Sequence, residues 1–317
     1  MRSLVVGGAG FIGSHLVELL VKRGPVTVLD DLSVGRPDFI RGPLESGQAE
    51  LVVGTALDLE LVAAHTAGKD LVVHLAANPE ARWGLEDTRR DLEQGTITTY
   101  NVLEAMRRAQ APALVFSSSG TVYGENPEPC GELDLGRLPI SLYGASKLAS
   151  EAMISAFSEC FGLCATICRF GNVVGPRGTH GAALDFFKKL EKTPDELEVL
   201  GDGSQAKPYL HVTDCAAGLL FAFDNQKDKL GIYNLAPPDT TSVRRIAERC
   251  VAASPYPTAK IRYTGGDRGW PGDVPRSRMK PDKLAALGFR VRHTSDEAVD
   301  LAIRALAREV FGDRVGG

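Results

Sequence analysis

The sequence predicts an α/β fold, a doubly wound parallel sheet with a smaller C-terminal lobe, on three observations. Short β-branched runs alternate with longer amphipathic stretches from residue 3 to residue 170. The first run empties into a glycine-rich turn that opens a helical pattern. Beyond residue 170 the alternation loosens into glycine and proline clusters at 175–181, 201–203 and 265–272.

Taken in order, strands are expected over 3–6, 26–30, 51–53, 71–75, 113–117 and 165–170. Helical periodicity follows most of them, over 11–23, 57–67, 91–109 and 143–160. Parallel strands joined by helices place a ligand crevice at the strands' carboxyl ends. The expected division is a dinucleotide-binding Rossmann-type domain over 1–170 and a substrate-binding lobe over 171–317. A segment over 212–235 is expected to return to the first domain.

Composition sets outer limits. Of 317 residues, 44% are apolar and 24% charged, ordinary values for a folded chain. The net charge of −4 argues against nucleic-acid or anionic-membrane partners, so cations for an anionic ligand must be placed locally. No apolar run approaches the ~18 residues of a membrane span, and Met1-Arg2-Ser3 leads directly into a strand without a secretory signal. The six cysteines carry no metal-site spacing. Cys160, Cys164 and Cys168 are evenly spaced, but Phe161-Gly162 breaks the helix between the first two, so buried free thiols and no metal are expected. Those features indicate a cytoplasmic protein.

The turn after the first strand reads Gly7-Gly8-Ala9-Gly10-Phe11-Ile12-Gly13. Such glycines let backbone N–H groups approach a pyrophosphate at a helix N-terminus. The second strand ends in Asp30, 17 residues past Gly13, where a carboxylate accepts hydrogen bonds from a ribose diol. Asp30-Asp31 would repel a 2′-phosphate, which Arg36 offsets only in part, so NAD is expected rather than NADP. Tyr143 and Lys147 stand four apart on one helix and share a face. A free tyrosine titrates near pH ~10, and a neighbouring ammonium together with a positive nicotinamide favours its phenolate.

These motifs resemble the extended short-chain dehydrogenase/reductase superfamily. The likeness rests on Gly7–Gly13, the run Leu29-Asp30-Asp31-Leu32-Ser33-Val34-Gly35-Arg36, and His74-Leu75-Ala76-Ala77. It continues through Ser117-Ser118-Ser119-Gly120-Thr121, Tyr143-Gly144-Ala145-Ser146-Lys147 and Arg169-Phe170-Gly171-Asn172. Within the superfamily the chain is most similar to UDP-glucose (UDP-galactose) 4-epimerases over nearly its whole length.

The resemblance implies a catalytic set of Tyr143, Lys147 and Ser119, with Ser119 sharing the substrate hydroxyl proton. It implies NAD contacts at Gly7, Gly10, Phe11, Ile12, Gly13, Asp30, Asp31, Leu32, Ser33, Gly35, Leu75, Ala76, Ala77, Ser117, Tyr143, Lys147 and Phe170. For the UDP-sugar it implies Arg82, Ser119, Thr121, Tyr143, Asn172, Lys207, Tyr209, Arg268 and Asp273. Related dehydratases and decarboxylases carry an acid after the third serine, whereas this chain has Gly120-Thr121. The implied reaction is therefore inversion at C4 through a transient 4-keto sugar. Arg82 matches an arginine of UDP-glucuronate 4-epimerases and keeps that substrate open, while Asn172 follows the galactose pattern. Ser277 falls where a bulky tyrosine narrows the pocket of glucose-specific members. Thr55, Gly95 and the stretch 177–180 depart from the family pattern. A non-enzymatic NAD-binding scaffold and a reductase consuming free NADPH are the remaining alternatives; the retained tyrosine–lysine pair speaks against the first and Asp30 against the second. Superfamily members pair long helices into dimers, which makes 91–109 and 143–160 the expected homodimer face.

Overall fold

The structure is a computed structural model that describes residues 1–134 and 137–315. Six strands follow in chain order: β1 (Ser3–Val6), β2 (Val26–Asp30), β3 (Ala49–Val53), β4 (Leu71–His74), β5 (Ala113–Ser119) and β6 (Cys164–Phe170). With the Leu230–Leu235 strand they form one sheet in the order Leu230–Leu235, β6, β5, β4, β1, β2, β3. Every pairing within it is parallel. The strands read as near-continuous apolar runs because helices cover both faces. On one face, the Phe11–Leu20 and Val212–Asn225 helices bury Leu16, Val17, Leu20, Leu219 and Leu220. On the other, Val102, Leu103, Met106 and Ile154 come from the Thr98–Ala109 and Leu142–Phe161 helices.

The strand order reverses between β1 and β4, so their carboxyl ends diverge into the two walls of a crevice. That crevice is narrow. A Cβ on Gly7, whose φ is +82°, would lie 2.6 Å from the Ala76 amide nitrogen. Only glycine fits there, which ties the turn after β1 to the strand end of β4.

A second apolar cluster forms the smaller lobe. The Ala182–Lys192, Val243–Ala253 and Ser295–Phe311 helices pack Phe187, Leu190, Ile246, Val299, Ile303 and Phe311 around the parallel pair Glu196–Val199 and Lys260–Tyr263. Among the described residues, no helix is long and apolar enough to cross a membrane.

Two local departures from expectation have physical causes. The predicted single helix over 91–109 is a Thr88–Asp91 turn, a π-helical turn over Leu92–Ile97 and the Thr98–Ala109 helix. A Cβ on Gly95 would sit 2.5 Å from the Ser146 hydroxyl, so glycine lets this segment approach the Leu142–Phe161 helix closely. The widened turn leaves the Gly95 carbonyl to accept from the Thr99 hydroxyl at 2.7 Å. Cys160 and Cys164 are exposed rather than buried, because one ends a surface helix and the other begins β6 at its outer edge.

His74 closes β4 fully buried beside Lys147, with one ring nitrogen 3.1 Å from the Thr99 hydroxyl and the other unpaired. Burial first, and then the Lys147 charge, push its pKa down to about 3. The unfolded chain binds this proton below pH ~6.5 and the folded chain does not. Stability from this group is therefore complete above that pH and drains away as the pH falls toward 3. Urea denaturation between pH 4 and 6.5 should show wild type losing up to about 1.4 kcal/mol per pH unit more than His74→Gln.

Candidate active site

The crevice opens as two cavities that meet at one wall. The first, about 240 Å³, runs along the carboxyl ends of β1, β2, β4 and β5. Gly7, Gly10, Phe11, Ile12, Gly13, Asp30, Asp31, Ser33, Gly35, Leu75, Ala76, Ala77, Ser117, Tyr143, Lys147 and Phe170 all line it. Leu32 does not. With φ of +58° it turns its side chain into the core, and its amide donates to the Asp30 carboxylate at 3.0 Å. A Cβ on Gly35 would fall 2.5 Å from that same carboxylate.

The shared wall is the start of the Leu142–Phe161 helix. Ser141 caps it by accepting from the Gly144 amide at 3.1 Å, which sets Tyr143 in the first turn and Lys147 one turn on. The buried Lys147 ammonium donates to the Ser117 carbonyl at 2.6 Å and lies 4.9 Å from the centre of the Phe116 ring. Burial lowers its pKa to about 8, against the raising effect of Glu151 and Asp91. The Tyr143 hydroxyl meets the Ser119 hydroxyl, which in turn accepts from the Thr121 hydroxyl at 3.0 Å. Tyr143 is pushed up to about 12, by its low-polarity surroundings first and then by Asp91. The expected phenolate is thus not a property of this chain's own groups. Desolvation outweighs the hydrogen bond from Ser119, and the ammonium is engaged on Ser117.

The second cavity, about 380 Å³, lies between this wall and the smaller lobe. Arg82, Ser119, Thr121, Tyr143, Asn172, Lys207, Tyr209, Asp273 and Ser277 line it. Lys207 pairs with Asp273 at 2.5 Å. Arg82 is held by both Glu80 and Asp185. Arg268 requires correction: it turns away to Asp267 and Glu125 at the surface, and Gly269 and Trp270 take the cavity wall instead. The two ion pairs of Arg268 hold it there, and the chain then turns tightly, with the Asp273 amide donating to the Trp270 carbonyl at 3.0 Å. His180, a loop histidine outside the expected set, lines both cavities. No local pattern marks it, because the loop that carries it is placed by contacts distant in sequence.

A model of the NAD dependent epimerase/dehydratase family matches residues 3–236. The chain belongs to that family. It is 30% identical to a UDP-glucose 4-epimerase of Corynebacterium glutamicum over 315 residues, 93% of this chain and 92% of the relative. A crystal structure of a UDP-galactose 4-epimerase superposes with a TM-score of 0.86 at 37% identity, covering 98% of this chain and all of the other. The UDP-glucose 4-epimerase of Thermus thermophilus, solved in complex with NAD, gives 0.85 at 31% identity, covering 96% and 99%. The cofactor of the family is NAD, and the chain is an enzyme of nucleotide-sugar chemistry.

The residues present suit NAD. A side chain on Gly13 would collide with the Gly7 carbonyl and one on Gly7 with Ala76, so the turn can only be an open backbone cradle at the helix N-terminus. The Asp30 carboxylate commits one oxygen to the Ala9 amide at 2.9 Å and the other to Leu32 at 3.0 Å. The Gly10 amide also bears on this carboxylate, and of its roughly four acceptor positions at least one remains for a ribose hydroxyl. Arg36, the cation expected near a 2′-phosphate position, lies over the Phe39 ring at 5.7 Å and is absent from the cavity lining.

Replacing Tyr143 by phenylalanine removes the hydroxyl that reaches Ser119 and leaves the cavity walls in place. Turnover should fall at least ~10²-fold, the order of a positioned acid–base group, while the purified variant keeps its NAD absorbance. Near-wild-type rates for Tyr143→Phe would remove the tyrosine from the chemistry.

Proposed function

We propose that the chain is an NAD-dependent 4-epimerase of UDP-hexoses, interconverting UDP-glucose and UDP-galactose. The observation that carries this reading is the shared wall: Tyr143 and Ser119 face the sugar cavity while Tyr143 and Lys147 also face the cofactor cavity. One hydroxyl can therefore serve the sugar at the same place where a hydride leaves it.

Tyr143, paired with Ser119, takes the proton of the C4 hydroxyl. NAD, when bound, supplies the acceptor for the C4 hydride and the positive charge that this tyrosine lacks in the protein alone. Lys147, anchored on Ser117, adds a second cation beside the ring of Tyr143, 5.8 Å from its centre. Once the 4-keto sugar has turned within the cavity, Tyr143 would give the proton back to the C4 oxygen as the opposite face of C4 is reduced. Elimination or decarboxylation needs a further acid or base. Gly120 and Thr121 provide none, and the cavity carboxylates Glu80, Asp185 and Asp273 are each tied to a cation.

Asn172, Lys207 and Tyr209 are assigned to the diphosphate and uridine. Trp270 is added to them as a flat apolar surface on the same wall. UDP-glucuronate is the second reading, favoured by Arg82 in the cavity; its two carboxylate partners count against it. The reading includes a homodimer through the helices beside the catalytic wall, where Leu92, Tyr100 and Phe161 remain 51%, 43% and 57% exposed.

Purified protein incubated with UDP-glucose, UDP-N-acetylglucosamine and UDP-glucuronate, without added NAD, tests this. UDP-glucose should yield UDP-galactose, and the N-acetylated sugar should also react, since Ser277 on the cavity wall leaves room at C2. Ser277→Tyr should reduce the second activity tenfold or more while sparing the first. A keto or pentose product, or no turnover of any UDP-hexose, would overturn the reading.

A further inference from the structure

Arg82 looks at first like the cation for a uronate, yet it is already doubly occupied. Its Nε and Nη2 donate to Glu80 at 3.1 and 3.0 Å, and Nη2 also donates to Asp185 at 2.7 Å. The Asp185 contact spans 103 positions of sequence and joins the loop after β4 to the Ala182–Lys192 helix of the smaller lobe. All three side chains line the sugar cavity, along with His180, which both carboxylates face. Glu80, Asp185 and Arg82 together carry one negative charge while His180 is neutral, and the nearby wall cation Lys189 is paired with Glu198 at 3.7 Å. Burial holds His180 below its ordinary pKa, which keeps it so near neutral pH.

We infer that Glu80, Arg82 and Asp185 form a charge gate that sets the substrate class of the site to sugars without a carboxylate. The inference rests on the UDP-hexose reading of the preceding section. A C6 hydroxymethyl meets acceptors that its hydroxyl can satisfy. A C6 carboxylate meets an arginine whose Nε and Nη2 donors are already committed to carboxylates, and two like charges on a wall that is partly open to solvent, which weakens the repulsion without removing it. Releasing Arg82 from its partners turns the same wall from repelling to attracting an anion. The gate is therefore carried by Asp185 and Glu80, and Arg82 is the element they hold silent.

The test measures kcat/KM for UDP-glucuronate relative to UDP-glucose in wild type, Asp185→Asn, Glu80→Gln and the double variant. In parallel, calorimetry gives the Kd ratio of the two nucleotides on the NAD-loaded proteins carrying Tyr143→Phe. Charge at the wall rises stepwise across the series. The ratio should shift toward the glucuronate by about tenfold for each single variant and further for the double. Asp185→Glu, which restores the charge, should return the ratio to within about threefold of wild type. Ratios that stay within about threefold across every folded variant would overturn the gate, and Glu80→Gln decides alone if Asp185→Asn does not fold. Wild type that turns over no UDP-hexose defeats the functional reading, while the Kd ratios still decide the gate.

Discussion

The guanidinium of Arg169 holds the catalytic wall in register. It is fully buried at the end of β6 and grips Glu151 with two bonds, at 2.9 and 2.6 Å. Its third and fourth contacts go to the Tyr123 hydroxyl and the Glu132 carbonyl, both at 2.9 Å. Glu151 also accepts from the Ser118 hydroxyl, and Tyr123 donates to Asn234 at 2.6 Å. One charge therefore fastens the end of β5, the turn after it, the Leu142–Phe161 helix and the Leu230–Leu235 strand. A buried pair of this kind adds little to stability over an apolar substitute, but losing one partner costs about 3–5 kcal/mol. Its consequence here is positional. Ser119 lies one residue past the Ser118 contact, and Lys147 lies one helical turn before Glu151.

That register explains the electrostatics of the site. Lys147 must remain an ammonium in a dry place, and Glu151 and Asp91 resist the fall of its pKa to about 8. Asp91 raises Tyr143 at the same time, so the tyrosine begins as a firmly neutral phenol. A resting phenol suits a site whose base is needed only when a cofactor with a positive ring is present. The charge gate around Arg82 works at the far side of the same cavity by the same physics: in a low-polarity enclosure, pairing a charge is how the protein silences it.

Much of this was legible in the sequence because it is written in short local patterns. β1 and β2 occupy the predicted residues, since a fully buried parallel strand reads as an apolar run ended by a turn. Gly7, Gly10, Phe11, Ile12 and Gly13 of the expected cofactor set lie in one short turn, which a local motif can mark. What the motifs do not give is the direction of single side chains and the pairing of distant ones. Leu32 sits in the right motif, but a positive φ turns its side chain to the core. Arg268 lies two residues from Trp270, and only the fold decides which of them faces the cavity. Glu80 stands two residues before Arg82, but Asp185 and the partners of Arg169 arrive from other elements, so the full pairing of either arginine appears only in the fold. The π-helical turn at Gly95 follows from its approach to Ser146, another contact between distant segments.

In the proposed 4-epimerase, proton and hydride leave and return within a single enclosure formed at the Tyr143 wall. The most direct measurement uses UDP-glucose deuterated at C4, turned over by the protein as purified, with mass and NMR analysis of the UDP-galactose formed. The deuterium should stay at C4 of the product, with none in solvent and none in free cofactor. Deuterium washed into water, or a requirement for added NAD at each turnover, would contradict it.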